Sequence, residues 1–139
     1  MINSHTAPYA ALLLRVALGA MFVAHGLLKA LVFTLPGTAQ FFESVGFPGF
    51  LAYVVVPFEV IAGALLILGL GTRIVALVCA LELVGVASVH FGNGWLFTSP
   101  NGGWEYPVFL IVVAVAQALL GDGAYALGTG RRALGAQAA

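Results

Sequence analysis

Four stretches of this chain, residues 9–32, 51–70, 72–91 and 104–120, are apolar almost without interruption. Each is close to the ~20 residues a helix needs to cross ~30 Å of hydrocarbon. A soluble fold cannot absorb four such runs, because it covers itself with roughly 25% charged residues. This chain has 7% charged and 62% hydrophobic residues, with a mean hydropathy of +1.09. Lipid is therefore its solvent. A backbone in lipid must satisfy its own hydrogen bonds, and these runs are too long and too uniformly apolar for the alternating strands of a barrel. The expected fold is all-α, an integral membrane four-helix transmembrane bundle. The first run has no Lys or Arg before Arg15 and exceeds the length of a signal-peptide core, so it is expected to stay as a helix.

The breaks between runs fix the connections. Leu70-Gly71-Thr72 leaves a tight turn, so spans two and three are expected to form an antiparallel hairpin. Gly-Phe-Pro-Gly at 46–49 precedes span two, and Pro100-Asn101-Gly102-Gly103 precedes span four. Pro107 falls in the first turn of span four, where a missing N–H costs little. Pro57 lies deeper in span two and is expected to kink it. Between residues 34 and 50, Gln40, Phe41, Phe42, Glu43, Ser44 and Val45 suit a short interfacial helix after the first span. Trp95 and Trp104 sit where indoles favour the membrane surface. Four spans put both termini on one side, and Arg73, Arg131 and Arg132 fall on that side. The positive-inside rule places them in the cytoplasm, with Lys29 as the one dissenter.

Ionisable groups inside a span are costly and point to function. Arg15, His25 and Lys29 fall within an arc of about 80° on the first helix, a stripe flanked by Gly19, Phe22 and Gly26 that faces protein. Glu59 and Glu82 lie near the middle of spans two and three. Arg15 is expected about five residues from them in depth, roughly 7–8 Å, and so to pair with one of them. One arginine cannot neutralise two carboxyls. The other must find His25 or Lys29 or keep its proton, and such a group beside an imidazole exchanges protons. Lys29 is expected to snorkel to the outer surface. His25, His90 and Glu105 gather in the outer half near Trp104 and Tyr106. Two histidines could ligate a haem or a metal, but the Glu-x-x-His pair of di-metal bundles is missing, and no metal site is assigned. Glu105 reads most simply as a dipole partner at a helix start, and Cys79, the single cysteine, as a small core residue. A net charge of zero argues against nucleic acid.

These residues together resemble the DoxX family of small four-span membrane proteins. The resemblance is carried by Arg15; His25-Gly26-Leu27-Leu28-Lys29; Phe42 to Gly46-Phe47-Pro48; Glu59 with Gly63; and Gly69-Leu70-Gly71-Thr72-Arg73. It continues through His90-Phe91 and Gly102-Gly103-Trp104-Glu105-Tyr106-Pro107 to Gly121-Asp122-Gly123-Ala124-Tyr125. It implies a membrane domain over residues 9–127, between an N-terminal tail of residues 1–8 and a cytoplasmic tail of residues 128–139, in the cytoplasmic (inner) membrane. Relatives of this type include membrane subunits of thiosulfate:quinone oxidoreductase, and a distant branch looks like cargo receptors. The resemblance thus implies a quinone-associated subunit of a membrane oxidoreductase, with a redox partner subunit and quinone as the cofactor to consider.

On that reading Glu59, Glu82, His25 and Arg15 are candidates for proton handling or a quinone pocket, and His25, His90, Glu105, Trp104 and Tyr106 for holding the ligand. His and carboxyl together offer the donor and proton source that a quinone carbonyl needs. The paired cysteines of vitamin K reductase-type bundles are absent, so that mechanism is closed to a single subunit. Two other readings stand beside this one: a non-enzymatic scaffold or small-solute carrier whose charges hold helices together, and a haem or metal electron carrier. Small-residue faces such as Gly63 to Gly71 allow a homo-oligomer without demanding one.

Overall fold

The computed structural model describes residues 3–128. They form five helices: α1 (Ala7–Leu31), α2 (Leu35–Ser44), α3 (Ala52–Leu68), α4 (Thr72–His90) and α5 (Glu105–Leu120), with single 3-10 turns at Gly49–Leu51 and Phe91–Asn93. Three are long and apolar enough to span a membrane: α1, α3 with its leading turn, and α4. The fourth bundle helix, α5, is apolar but shorter, at 16 residues. The short α2 follows the first span, as the sequence implies. The chain reverses at each connection, so one end of the bundle carries the start of α1 and the end of α5. We call this the terminal face, and the end bearing α2 and the α4–α5 connection the loop face. Arg131 and Arg132 lie outside the described residues.

What the bundle buries is the inverse of a soluble protein. Arg15, Glu59, Thr72 and Gln117 are each 4% exposed or less, while Leu13, Leu31, Ile74, Leu81 and Leu119 are each more than 70% exposed. Only a hydrocarbon solvent makes that arrangement stable, since a leucine gains nothing by leaving lipid and an ionisable group gains much. The core itself is built from small residues, including Ala62, Ala76, Cys79, Ala80, Ala114 and Ala118 around Leu18, Phe22, Leu66 and Leu83.

The helices joined by the tightest turn are not the ones that pack most closely. Although Gly69 (φ 69°) and Gly71 (φ 61°) close the α3–α4 turn, with Leu70 N–H donating to Leu65 O at 3.0 Å as in a Schellman closure, these two helices touch sparingly. Instead α3 packs along α1, and α4 along α5. Glycine explains the first pair. Gly26 is seated against the side chains of Val60 and Glu59 and against Val56 O, while a Cβ on Gly19 would lie 2.6 Å from Gly63 O and one on Gly63 would lie 2.6 Å from Gly19 O. Backbone meets backbone there, the close approach that small residues allow in lipid. This contact also sets the vertical register of α1 against α3, which decides which charges can meet. α3 runs on through Pro57 as one helix.

Two connections matter for the site. At the loop face, Thr34 turns the chain from α1 into α2 with φ 64°, a backbone angle β-branched residues rarely take. It then caps α2 by accepting from Gly37 N–H at 3.3 Å. At the terminal face, residues 121–128 fold back over the end of the bundle. Ala124 N–H donates to Pro8 O at 2.9 Å, Gly128 N–H to Gly69 O at 3.0 Å, and Tyr125 meets Tyr9 edge-on at 6.1 Å.

Candidate functional site

Inside the loop-face half of the bundle lies a cavity of about 390 Å³, to which all five helices contribute. α1 supplies Met21, Phe22, His25 and Lys29; α2 supplies Phe41; α3 supplies Glu59; α4 supplies Glu82, Leu83 and His90; and α5 supplies Tyr106, Pro107 and Leu110. Most of the wall is hydrocarbon and aromatic ring, with a few polar groups converging, the usual make-up of a small-molecule site.

The charges within it are unbalanced. Lys29 Nζ donates to Glu59 Oε1 at 2.5 Å, with the two side chains 21% and 5% exposed. The second oxygen of Glu59 is buried without a partner. So is Glu82 Oε2, and Glu82 lies within electrostatic reach of both Glu59 and Lys29. Among the described residues the Lys29–Glu59 contact is the only ion pair. One cation therefore faces two carboxyls, and the bonded one is Glu59.

The two histidines are oriented alike. His25 Nδ1 lies 2.8 Å from Met21 O, and His90 Nδ1 lies 2.9 Å from Gly102 O. A carbonyl can only accept, so in each neutral ring Nδ1 carries the hydrogen and Nε2 is left as an acceptor. Neither Nε2 has a hydrogen-bond partner among the described residues. Gly102 is placed for this contact by a backbone angle of φ 76°, which strains any residue with a side chain; a Cβ there would meet the imidazole at an ordinary 3.4 Å. Tyr106 completes the polar set, its hydroxyl weakly bonded to Met21 Sδ at 3.6 Å.

Of the residues singled out from the sequence, His25, Glu59, Glu82, His90 and Tyr106 share this cavity, and Lys29 joins them. Lys29 does not snorkel outward. It turns inward to Glu59, taking the place expected for Arg15. Arg15 lies elsewhere: it is 1% exposed, its Nη2 donates to Ala124 O at 3.1 Å, and the acidic group whose field it feels is Asp122. Its guanidinium fills the space above Gly69, where no Cβ could fit. The physical reason is register. With Gly26 against Glu59 and Arg15 against Gly69, eleven residues of α1 separate Arg15 from the glutamate level, roughly 16 Å at the helical rise. α1, at 25 residues, overhangs its 17-residue partner α3, an offset that the boundaries of the apolar runs do not show.

Trp104 and Glu105 do not line the cavity. The Trp104 ring packs edge-on against Trp95 at 4.4 Å and tilts against Phe91 at 5.8 Å. Glu105 Oε1 accepts from Phe97 N–H at 2.9 Å. Both hold the α4–α5 loop in shape, and that loop brings Phe97 and Gly102 to the cavity rim. Cys79 is fully buried in the apolar core. Among the described residues no three His, Cys, Asp or Glu side chains converge to hold a metal. Phe41 and Phe22 were not singled out as site residues. Phe22 stands in the sequence only as a flank of the polar stripe on the first helix, and Phe41 only as one of two aromatics in the short interfacial segment.

The profile of the family described as DoxX matches residues 10–92. A Bacillus subtilis (strain 168) protein named "Putative oxidoreductase CatD" is 39% identical over 112 residues, covering 80% of this chain and 78% of that one. No solved structure matches.

Proposed function

Since this chain belongs to the DoxX family, a family of membrane proteins, we propose that it is the quinone-associated subunit of a membrane oxidoreductase. One observation carries the reading: an apolar cavity within the bundle that holds two carboxyls, two imidazoles and a tyrosine hydroxyl against a single cation. The relative named as an oxidoreductase points the same way. The cavity's volume falls within the range of roughly 300–1,000 Å³ usual for small-molecule sites. The buried, partnerless Glu82 Oε2 is a polar atom of the kind a hydrogen bond from a hydroxyl would satisfy.

A quinone held there would supply a two-electron, two-proton acceptor. The protein's part is to bind, orient and move protons. Lys29 and Tyr106 are donors for a ring oxygen. Glu82, with no ion-pair partner of its own among the described residues, would give and take the proton. On this reading the unbonded Nε2 atoms of His25 and His90, which line the same cavity, would take up protons from the loop face. Cys79 is alone and cannot cycle a dithiol, so we assign electron supply to a partner subunit. On the positive-inside rule the terminal face is cytoplasmic and the membrane is the inner membrane.

Extraction of the purified protein with organic solvent, followed by mass spectrometry, tests this reading. A quinone recovered in near-stoichiometric amount from wild type and depleted in Glu82→Gln supports it. Recovery of phospholipid alone, unchanged in the variant, rejects it. One feature favours a structural role for part of the site: Lys29 and Glu59 neutralise each other across α1 and α3, and this pair is a helix staple whatever the ligand.

A further inference from the structure

A second hollow, a groove of about 470 Å³, lies beside the first and is lined by Lys29, Phe33, Gly37, Thr38 and Phe41. Lys29 and Phe41 line both. The two spaces are therefore neighbours across one wall, made of a lysine stem and one aromatic ring. Their chemistry differs. In the cavity the walls carry carboxyls, imidazoles and the ammonium that Lys29 directs to Glu59. In the groove the only hydroxyl is that of Thr38, which is already engaged with Thr34 O at 2.9 Å and Lys29 O at 3.3 Å. Gly37 contributes no side chain, and Phe33 and Phe41 stand 56% and 54% exposed at its edge. A cavity with converging polar groups thus adjoins a hydrocarbon trough, with Lys29 and Phe41 at the boundary.

We propose that the groove takes the hydrocarbon tail of the ligand whose head sits in the cavity, and that this ligand enters sideways from the bilayer past Phe41. The inference rests on the quinone reading of the cavity and narrows its ligand class to amphiphiles: a small polar ring on a long apolar chain. Continuity argues for this occupant over an unrelated lipid, because the groove meets the cavity at the same two residues that would flank the junction of ring and chain. The short α2 then acts as the outer wall of the tail site.

Gly37 gives a clean test. A Cβ there would meet only Thr34 Oγ1, at an ordinary 3.4 Å, so a larger side chain can project into the groove without touching the cavity. Binding to the protein in nanodiscs would be measured for a benzoquinone with a ten-carbon alkyl tail and for the same ring without a tail. Gly37→Phe, and Gly37→Leu should the first variant fold poorly, should weaken the tailed compound by about tenfold or more, since several buried methylenes are displaced. Binding of the tailless ring should be unchanged. Equal weakening of both compounds, or of neither, overturns the proposal. A wild type that binds neither ring would instead remove the quinone reading, and the groove is then judged by labelling with a diazirine-bearing decanol. Labelling of the 33–41 peptide that falls in the Gly37 variant, relative to the peptide holding the exposed Leu81, keeps the groove as a chain-binding site. Labelling that does not change between them overturns it.

Discussion

Removing the ammonium of Lys29 isolates the energetic role of the buried ion pair. Lys29→Met keeps the length of the stem and its contacts while leaving Glu59, whose side chain is 5% exposed, without its cation. Breaking a buried pair from one side costs about 3–5 kcal/mol, and the low-dielectric surroundings place this site toward the upper end. Glu59→Gln should cost less, because Lys29 is 21% exposed and its long stem can carry the charge to the loop face once the carboxylate is gone. The double variant Lys29→Met/Glu59→Gln leaves no stranded charge and should recover most of the loss, as replacement of whole buried pairs by uncharged groups does. Unfolding by SDS in mixed micelles, followed through the fluorescence of Trp95 and Trp104, measures all three against wild type. The prediction is a strongly non-additive cycle, with Lys29→Met the least stable member. If the double variant is as unstable as Lys29→Met, the loss does not come from a stranded carboxylate, and that argument is refuted.

Three further outcomes are expected. Gly19→Val should separate α1 from α3 and cost several kcal/mol in the same unfolding assay, because its Cβ would meet Gly63 O at 2.6 Å; Gly85→Ala, with open space around it, should be neutral or stabilising by up to about 1 kcal/mol through helix propensity. Arg15→Met should free residues 121–128 from the terminal face, read as faster maleimide labelling of a cysteine placed at Ala124 in a Cys79→Ala background; labelling at the rate of the Arg15 parent would show that Arg15 does not hold the segment. A C-terminal reporter should be active only on the cytoplasmic side, and activity on the opposite side reverses the assigned topology.

How much of this was legible in the sequence depended on whether a feature was local. The apolar runs and the glycine and proline breaks between them gave the helices to within a few residues, because length against hydrocarbon thickness is a one-dimensional constraint. His25, Glu59, Glu82, His90 and Tyr106 could be picked out singly for the same reason: a polar group in an apolar window stands out wherever it points. Their partners could not. Whether Arg15 or Lys29 reaches Glu59 depends on how far α1 slides along α3, and that offset is set by Gly19 on Gly63, a contact between residues with no side chain to announce it. The misplacement of Trp104 and Glu105 has a related cause. Both look like ligands at a membrane surface, yet the fold uses them to shape a loop through Trp95 and Phe97.

The same vertical offset divides the polar residues into two groups with different work. At the terminal face Arg15 holds the returning chain, with Asp122 in its field and Ala124 O as its acceptor. Because Arg15 is held there, it cannot offset either glutamate, and Lys29 becomes the only cation at their level. Lys29 bonds Glu59, the carboxyl on the helix that α1 packs against most closely. Glu82, on α4, is across the cavity from that tight pair and is left over. A surplus carboxyl is therefore a consequence of the packing of glycines, and its position is fixed by the same contact. A variant that shifted α1 along α3 by one turn would move Lys29 by about 5 Å, enough to break its bond to Glu59 and change which carboxyl is unpaired. On this argument the Gly19–Gly63 contact belongs to the chemistry of the site as much as to the stability of the bundle, and substitutions there should alter ligand binding as well as stability.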